Sequence, residues 1–273
     1  MGKTDSMKPL SRSAWPLLTI SLLAVMAPGC APKSSSSDKA ETQAATLHHW
    51  SYGGDDGPDH WAELGGENSI CSKGLRQSPV DISGATKTTT SKVVLDYRSS
   101  PATIQNNGHM VVVTPESGGG IIVDGTRYNL KSFQFHSPSE HAINGRKTAM
   151  EAQFIHKSDK GDTLIIAVLS DVGTADPMLG SLWTYLPFDP GKPVQLPDLL
   201  INAQDLMPGT EDFYVYSGSL STPPCTEGVT WMVYSSPLSL SAEQADALAR
   251  ISGPNARPLQ TRRDRDFLHV SGN

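Results

Sequence analysis

The chain has 273 residues, of which 37% are hydrophobic and 18% are charged, and its formal net charge is −6 at pH 7. A chain of this length and composition buries a sizeable core and favours one large domain over two. The negative charge excludes a nucleic-acid-binding protein, because such proteins present clustered positive charge to phosphates. The many glycines and prolines favour a fold rich in strands and loops.

The first 46 residues are typical of an export signal followed by a tether. Three basic residues precede an apolar run from Trp15 to Ala27, which is too short to span a bilayer. The run ends in APGC, which resembles a bacterial lipobox and would make Cys30 the lipidated residue. Residues 31–46 are small, polar or charged and predict a flexible tether.

These features predict an exported protein of the bacterial cell envelope, in the periplasm or on the outer surface. Residues 1–30 would form the signal peptide with its lipobox-like end, residues 31–46 the tether and residues 47–273 one domain. A lipid on Cys30 would make the membrane a partner of this protein. The alternative is simple secretion, with Cys30 as an unmodified thiol near an ordinary cleavage site.

The predicted domain contains two cysteines, Cys71 and Cys225. In the oxidising compartment outside the cytoplasm, an even pair favours one disulfide over two free thiols. Such a bond would close a loop of roughly 150 residues and contribute on the order of 4 kcal/mol to stability through the chain entropy of the unfolded state.

Seven short segments of the domain predict β-strands, because they are rich in β-branched or aromatic residues and are bounded by Gly, Pro, Asn or Asp. They are residues 93–97, 109–115, 132–136, 151–156, 163–169, 213–218 and 229–234. The dipeptide Asp124-Gly125 lies between two of the apolar runs and predicts a tight hairpin.

Two segments predict helices. The sequence DPMLGSLWTYL opens with Asp176 as the N-cap and a proline at the first helical position. The sequence LSAEQADALARISGP opens with a capping box of Ser241 and Gln244 and stops at Gly253. The helices are few beside the strands, so they are expected on the periphery of a strand-rich domain.

Polar residues interrupt two of the predicted strands on one face each. In SFQFH, the period of two places Gln134 and His136 on the same side. In AMEAQFIHK, it places Glu151, Gln153 and Ile155 on one side. A single histidine on a strand is more often a hydrogen-bonded core residue than a metal ligand, so only the whole group points to a site.

Six segments carry a recognisable pattern: HHWSYGGDDGPDHW (48–61), RQSPVDI (76–82), NNGHMVV (106–112), FQFHSPSEHAING (133–145), MEAQFIH (150–156) and YSGSLSTPPCTEGVTWMV (216–233). In this order they resemble the signature segments of the alpha-class carbonic anhydrases, and the likeness extends to NARPLQ (255–260). The resemblance implies a mainly β (α+β) fold with a large, twisted, mostly antiparallel sheet of about ten strands, peripheral helices and a conical active-site cavity. It also implies the disulfide between Cys71 and Cys225.

In that family, three histidines hold a zinc ion, two from a His-Phe-His unit and one from a Glu-x-His unit on the neighbouring strand. Three neutral imidazoles leave one position for a water molecule, whose pKa the metal lowers from about 15.7 to about 7. Here the first unit reads Gln134-Phe135-His136 and the second ends in Gln153. A neutral amide oxygen suits Ca²⁺ or Mg²⁺ better than zinc.

The loss of two imidazoles should remove about 5–8 kcal/mol of zinc binding, or on the order of four to six decades of affinity. We therefore expect weak or absent zinc and little or no CO₂ hydration. The first hypothesis is a pseudoenzyme that serves as an envelope-anchored binding or structural protein, like the carbonic anhydrase-related proteins.

Two other hypotheses remain open. The second is an active carbonate dehydratase that uses His136 with another ligand set or metal. His141 and His156 are the only nearby imidazoles in the sequence for such a set. The period of two places His156 on the face opposite Gln153. The third is an inactive domain whose cavity still binds CO₂, bicarbonate, another small anion or a small molecule near Ser221.

The resemblance implies roles for further residues. His109 matches the proton-shuttle histidine, whose imidazole titrates near neutral pH. Ser221 stands at the threonine that orients the zinc-bound hydroxide, and Glu140 matches the carboxylate that fixes that hydroxyl. Glu151 and His141 match the residues that support the metal ligands from behind.

The same likeness implies a substrate pocket and a proton path. Tyr52 and Asn107 match the residues that hold the proton-relay waters. The pocket residues are an apolar wall with one neighbouring hydroxyl: Ile155, Val168, Leu220, Thr222, Val229 and Trp231. Ordinary core packing is the alternative role for the apolar members.

Overall fold

A computed structural model of the chain describes residues 49–88 and 92–271. The predicted signal peptide, the predicted lipidation site Cys30 and the predicted tether lie outside these residues. The described helices are all too short or too polar to cross a membrane.

Strands dominate the described residues. The strands are β1 (Asp81–Ile82), β2 (Thr86–Thr88), β3 (Val93–Tyr97), β4 (Ala102–Asn106), β5 (Val111–Pro115), β6 (Gly119–Val123), β7 (Thr126–His136), β8 (Ala142–Ile143), β9 (Met150–Ser158), β10 (Thr163–Val172), β11 (Val194–Gln195), β12 (Asp212–Ser219), β13 (Glu227–Tyr234), β14 (Leu238–Leu240) and β15 (Leu268–Ser271). The α-helices are α1 (Ile70–Lys73), α2 (Pro177–Trp183) and α3 (Ala242–Ser252), and 3₁₀ turns span Gly54–Asp56, Trp61–Glu63, Gly66–Ser69 and Ala203–Leu206.

One large mixed sheet of 13 strands organises the domain, and β1 and β8 form a separate pair. Its central path runs in the order β11-β4-β5-β7-β9-β10-β13-β12-β15-β2, while β3, β6 and β14 lie off this path. Most neighbours are antiparallel, but β10 runs parallel to β13 and to β14, and β15 runs parallel to β2. The prediction of a mainly β, mostly antiparallel single domain is confirmed, with more strands than the ten expected.

Six of the seven segments predicted as strands lie wholly in strands, several of which extend beyond the predicted bounds, and the seventh, 109–115, becomes a strand only from Val111. The predicted hairpin is also present between β6 and β7. Its two turn residues, Asp124 and Gly125, have φ values of 47° and 83°. Positive φ at both positions defines a type I′ turn, whose twist matches that of the two strands.

The sheet is covered by apolar residues on both faces, so β10 reads as a nearly continuous apolar run. Alternate residues of β10 enter different clusters: Leu164, Ile166 and Val168 the larger one, and Ile165, Ala167 and Leu169 the smaller one. Helices α2 and α3 cover the larger cluster through Leu179, Leu182 and Leu248. The smaller cluster lies on the other face, beside the predicted site.

Candidate functional site

The register between β7 and β9 brings the predicted site residues together. Gln134 lies opposite Gln153, and His136 lies opposite Glu151. Opposite residues of an antiparallel pair share one face of the sheet. We call the face that carries these four side chains the site face.

The two glutamine side chains connect the site face by hydrogen bonds. The amide nitrogen of Gln134 lies 3.2 Å from His136 Nε2 and donates to Gln153 Oε1, also at 3.2 Å. The amide nitrogen of Gln153 donates to Glu140 Oε2 at 2.8 Å and to Glu151 Oε1 at 2.9 Å. Each amide nitrogen therefore uses both of its hydrogens inside this group.

His136 is buried, and its contacts define its tautomer. Its Nδ1 lies 2.7 Å from the carbonyl oxygen of Asn255, which can only accept a hydrogen bond. Nδ1 therefore donates to that oxygen, and Nε2, which faces the amide nitrogen of Gln134, accepts from it. This orientation also fixes the amide of Gln134, because only its nitrogen can face an accepting Nε2.

Two fully buried carboxylates lie behind the glutamines. Glu140 Oε1 accepts the backbone N–H of Arg257 at 2.9 Å and lies 3.7 Å from His136 Nδ1. Burial alone would raise the pKa of Glu151, but the charge of His141 and hydrogen bonds from His141 and Gln153 lower it to about 2. Glu151 is therefore an anion at neutral pH.

The imidazole of His141 has both nitrogens engaged. Its Nδ1 lies 2.8 Å from Glu151 Oε1, and its Nε2 lies 2.6 Å from the hydroxyl of Tyr216. His141 is fully buried, and its ring packs against Trp231 with 4.7 Å between ring centroids. It supports Glu151 from behind and does not point a free nitrogen at the site face.

The other candidate histidine lies on the opposite face of β9. His156 Nε2 lies 2.7 Å from the hydroxyl of Tyr97, which belongs to the larger apolar cluster. Its Nδ1 is buried without a hydrogen-bond partner in the described residues. Burial lowers the pKa of His156 to about 4, so the imidazole is neutral.

Aromatic residues form a rim beside the site. His109 stacks on Trp50 with 3.8 Å between centroids and 6° between planes. Burial first, and the charge of His49 second, lower the pKa of His109. Asn107 accepts the backbone N–H groups of His109 and Met110, both at 2.9 Å, so its side chain shapes the turn that carries His109.

Tyr52 joins the rim to the site face. Its ring meets the ring of His136 edge-on at 6.4 Å, and it lines a cavity of about 400 Å³ together with Trp50 and His109. Its hydroxyl is buried and has no hydrogen-bond partner within residues 49–88 and 92–271. Burial, reinforced by the charge of Glu140, raises the pKa of Tyr52 well above its ordinary value.

Ser221 follows β12 in a tight turn, where Cys225 donates its backbone N–H to the carbonyl oxygen of Thr222 at 2.8 Å. The Ser221 side chain makes no hydrogen bond to another described residue, and Glu140 accepts from Gln153 and Arg257 instead. The predicted bond between the Ser221 hydroxyl and Glu140 is thus not formed in this structure.

The predicted apolar wall is mostly assembled on the site side. Four of its members belong to the smaller cluster or pack against it: Ile155, Leu220, Val229 and Trp231. Val168 does not line the site, which corrects the prediction. Gln153 lies opposite Ala167 in the sheet, so Val168 points to the other face and joins the larger cluster.

A family model described as eukaryotic-type carbonic anhydrase matches residues 56–267 of this chain. This match covers most of the domain, including both strands of the site face. The chain belongs to the alpha-class carbonic anhydrase family.

Relatives and solved structures agree with this assignment. A carbonic anhydrase of Neisseria gonorrhoeae is 39% identical over 214 residues, which cover 78% of this chain and 84% of the relative. The alpha-carbonic anhydrase of Thermovibrio ammonificans, solved with the inhibitor sulfanilamide, has a TM-score of 0.78 at 39% identity and covers 81% of this chain and 99% of its own. Dioscorin, solved with ascorbate, has a TM-score of 0.77 at 30% identity, and the match covers 82% of this chain and 99% of the dioscorin chain.

Two functional residues of this carbonic anhydrase homologue were not identified from the sequence. Asn255 sets the tautomer of His136 through its backbone oxygen, and Arg257 holds Glu140 through its backbone N–H. The only signal in the sequence is that both lie in NARPLQ, the last segment of the resemblance. Long-range backbone contacts of this kind leave no local pattern.

Arg257 also connects the site to the disulfide. Its guanidinium is buried and donates to the carbonyl oxygen of Cys71 at 2.8 Å and to Gln77 Oε1 at 3.0 Å. Gln77 in turn donates to the carbonyl oxygen of Cys225 at 3.0 Å. The predicted disulfide between Cys71 and Cys225 is present, and its Cα atoms are 5.1 Å apart.

Proposed function

We propose that this carbonic anhydrase homologue binds zinc weakly or not at all and has little or no CO₂ hydratase activity. Gln134 and Gln153 would occupy two of the three positions at which the family holds its metal. The observation that carries the proposal is the direction of the two amides. Both turn their N–H groups toward the acceptors of the site face.

The donor set supports the proposal on chemical grounds. A zinc site needs lone pairs that converge on one point, and soft or nitrogen ligands are preferred to neutral amide oxygens. His136 has the tautomer that leaves Nε2 free to bind a metal, but the amide of Gln134 faces this nitrogen. The described residues contain no group of three His, Cys, Asp or Glu side chains placed to hold a metal ion.

Reorientation of the two amide groups would not create a good zinc site. Gln153 Oε1 already faces the amide nitrogen of Gln134, so a metal at that point would have to displace this amide from Gln153 and His136. The metal would then have one imidazole nitrogen and neutral amide oxygens as its donors, which are weaker zinc ligands than three imidazoles. The fit of a zinc ion to these residues is therefore poor.

The alternative, an active enzyme with His136 and other ligands, has less support. His141 has both nitrogens engaged, and His156 lies on the opposite face of the sheet. No second imidazole in the described residues can join His136 without a large rearrangement.

In place of catalysis, we propose a metal-independent binding role at the cell envelope, with the lipid on Cys30 as the anchor. Dioscorin, which shares the fold, was solved in complex with ascorbate, so a small-molecule role has a precedent among the similar structures. The rim cavity lined by Tyr52, Trp50 and His109 is available for such a ligand.

The test compares the purified full-length protein with the Gln134→His/Gln153→His variant after incubation with zinc. Metal content by mass spectrometry and stopped-flow CO₂ hydration are measured on the same samples. The variant should gain on the order of four to six decades of zinc affinity and recover turnover, because three imidazoles then converge on one point. Gln105→His/Gln195→His, at two glutamines on β4 and β11, is the matched control and should gain neither.

A parent protein that holds stoichiometric zinc and hydrates CO₂ would show that the ligand argument is wrong. A double variant that binds zinc but stays inactive would place the defect elsewhere, with Ser221 as the first candidate.

A further inference from the structure

The chain contains two Asn-Gly dipeptides, Asn107-Gly108 and Asn144-Gly145. Asparagine before glycine is prone to spontaneous deamidation, because no side chain on the glycine hinders its nitrogen from attacking the asparagine amide. The two dipeptides have the same chemistry but different surroundings, so the fold decides which one reacts. We propose that Asn144 is a deamidation site with Asp81 as its general base, and that the fold protects Asn107. This inference is independent of whether the site face binds zinc.

The reaction at Asn144 needs only water as a co-reactant. The backbone nitrogen of Gly145 attacks Cγ of Asn144, and the new N–Cγ bond closes a cyclic imide. The bond from Cγ to the side-chain nitrogen breaks, and ammonia leaves with the proton that the Gly145 nitrogen gives up. Water then opens the imide at either carbonyl, which leaves aspartate or isoaspartate at position 144.

The side chain of Asn144 is free to turn toward this nitrogen. Asn144 and Gly145 form the turn of a short hairpin, whose flanking residues exchange backbone hydrogen bonds of 3.0 and 3.1 Å. Asn144 is exposed, and its side chain makes no hydrogen bond to another described residue. Beyond the two chain neighbours of Gly145, no described atom lies within 4 Å of the point where a Cβ would stand. Ring closure therefore breaks no side-chain contact and has open space beside it.

A carboxylate is in place to take the proton. The backbone N–H of Gly145 donates to Asp81 Oδ1 at 2.9 Å. A general base must lie within hydrogen-bond reach of the proton it removes, and this oxygen does. The N–H of Gly108 instead donates to Asn106 Oδ1 at 3.0 Å. That acceptor is a neutral amide oxygen and is not a base at neutral pH.

The side chain of Asn107 is held in its own turn. Its Oδ1 accepts the backbone N–H groups of His109 and Met110, both at 2.9 Å. Rotation of this side chain toward the nitrogen of Gly108 would break both hydrogen bonds. The loss of two hydrogen bonds on the way to the reacting geometry slows a reaction by roughly tenfold or more.

The product would alter a strand pair next to the site. Strand β8 directly follows Glu140 and His141 and pairs with β1. Deamidation adds a carboxylate to the turn whose N–H group Asp81 accepts, and isoaspartate also lengthens the backbone of that turn. We therefore expect the backbone N–H of residue 144, which donates to the oxygen of Ile82 at 3.0 Å, to exchange faster with deuterium in the modified protein.

The test follows both dipeptides in the same full-length protein during incubation at neutral pH. Peptide mapping by mass spectrometry measures the mass gain at each asparagine, and an isoaspartyl methyltransferase labels the isomerised product. A sample in urea, where both turns are lost, gives the reference for the bare sequence. We expect the ratio of the Asn144 rate to the Asn107 rate to be at least about tenfold higher in the folded protein than in urea.

A variant separates the base from the hydrogen bond. Asp81→Asn keeps an oxygen for the N–H of Gly145 but removes the carboxylate, so the rate at Asn144 should fall at least about tenfold. The rate at Asn107 should stay unchanged. Asp171→Asn is the matched control, because it removes the carboxylate that pairs with Arg146 at the same hairpin, and it should leave both rates unchanged.

Two results would overturn this inference. One is a ratio of the two rates that is the same in the folded protein and in urea. The other is an Asp81→Asn variant in which Asn144 reacts as fast as in the parent or faster. If this variant does not fold, the comparison of folded and unfolded parent protein still decides. Neither result depends on zinc, so the proposed function stands or falls separately.

Discussion

At the scale of single residues, Gln153 has the largest effect on its surroundings. One amide group donates to two buried carboxylates, and one of them is Glu140. The period of two in the sequence places Gln153 on the right face, but it does not reveal this bond. Glu140 lies in the loop after β7, and the path of a loop is not encoded in strand periodicity.

Val168 illustrates a different limit. The resemblance assigns it to the apolar wall by its position in a segment, whereas the sheet register assigns Ala167 to the site side. In a strand that is buried on both faces, apolar residues occur at every position, so the sequence cannot show which ones face the site.

His156 should make the protein less stable in acid. Burial, which outweighs the opposing backbone contacts of Phe154 and Leu164, lowers its pKa from 6.5 to about 4. The unfolded chain binds a proton as the pH falls below about 6.5, and the folded chain does so only near pH 4. Folding stability is therefore full above this window and should fall by about 3 kcal/mol as the pH drops through it.

The measurement is the unfolding free energy by urea between pH 7 and pH 4. His156→Gln should flatten its dependence on pH by the same amount, whatever its stability at pH 7. His60→Gln changes a half-exposed imidazole and should leave the slope of the parent. Equal slopes in all three proteins would contradict the assignment.

At the scale of elements, both predicted helices form, and the capping box of Ser241 and Gln244 is present at the start of α3. The sequence does not show that Gln244 also serves α2. Its Oε1 accepts from the backbone N–H of Asp176 at 2.9 Å, and its amide nitrogen donates to the Asp176 carbonyl oxygen at 2.7 Å. Local capping rules identify each helix start separately, and only the tertiary fold brings the two starts together.

Gln244→Ala should therefore destabilise the protein more than Ser241→Ala. The serine variant loses one capping bond, with an expected cost of about 1 kcal/mol. The glutamine variant loses the bonds to both helix starts, with an expected cost of about 2–3 kcal/mol. Chemical denaturation measures both values, with Gln260→Ala at a partly exposed glutamine as the control. Equal losses in the first two variants would argue that the link to α2 contributes nothing.

At the scale of the whole molecule, the disulfide connects segments 154 residues apart. The Cys71→Ala/Cys225→Ala variant should lose on the order of 4 kcal/mol of stability, because its unfolded state gains chain entropy. A thermal melt under oxidising conditions should show a lower Tm for the variant, and reduction should lower the Tm of the parent alone. A parent whose Tm is unchanged by complete reduction would show that the bond does not stabilise the fold.

The sequence predicts the class of fold and most central strands, since alternation, β-branched residues and turn dipeptides are local signals. The arrangement of the site is harder to predict from local signals in the sequence. The four side chains of the site face follow from periodicity and the resemblance, but Asn255 and Arg257 reach it from a segment without regular structure near the C-terminus. Contacts between segments so distant in sequence depend on the completed fold.

The strands at the edges of the sheet affect whether copies of the domain can aggregate through unpaired backbone groups. In the described part of the chain, the central path terminates in β11, with two residues, and in β2, with three. A strand this short offers few unpaired N–H and C=O groups to another chain, and natural sheets avoid edge-to-edge aggregation in this way. The long strands β7, β9 and β10 are paired on both sides, so the free edges among the described strands belong to short strands, of which β3 with five residues is the longest.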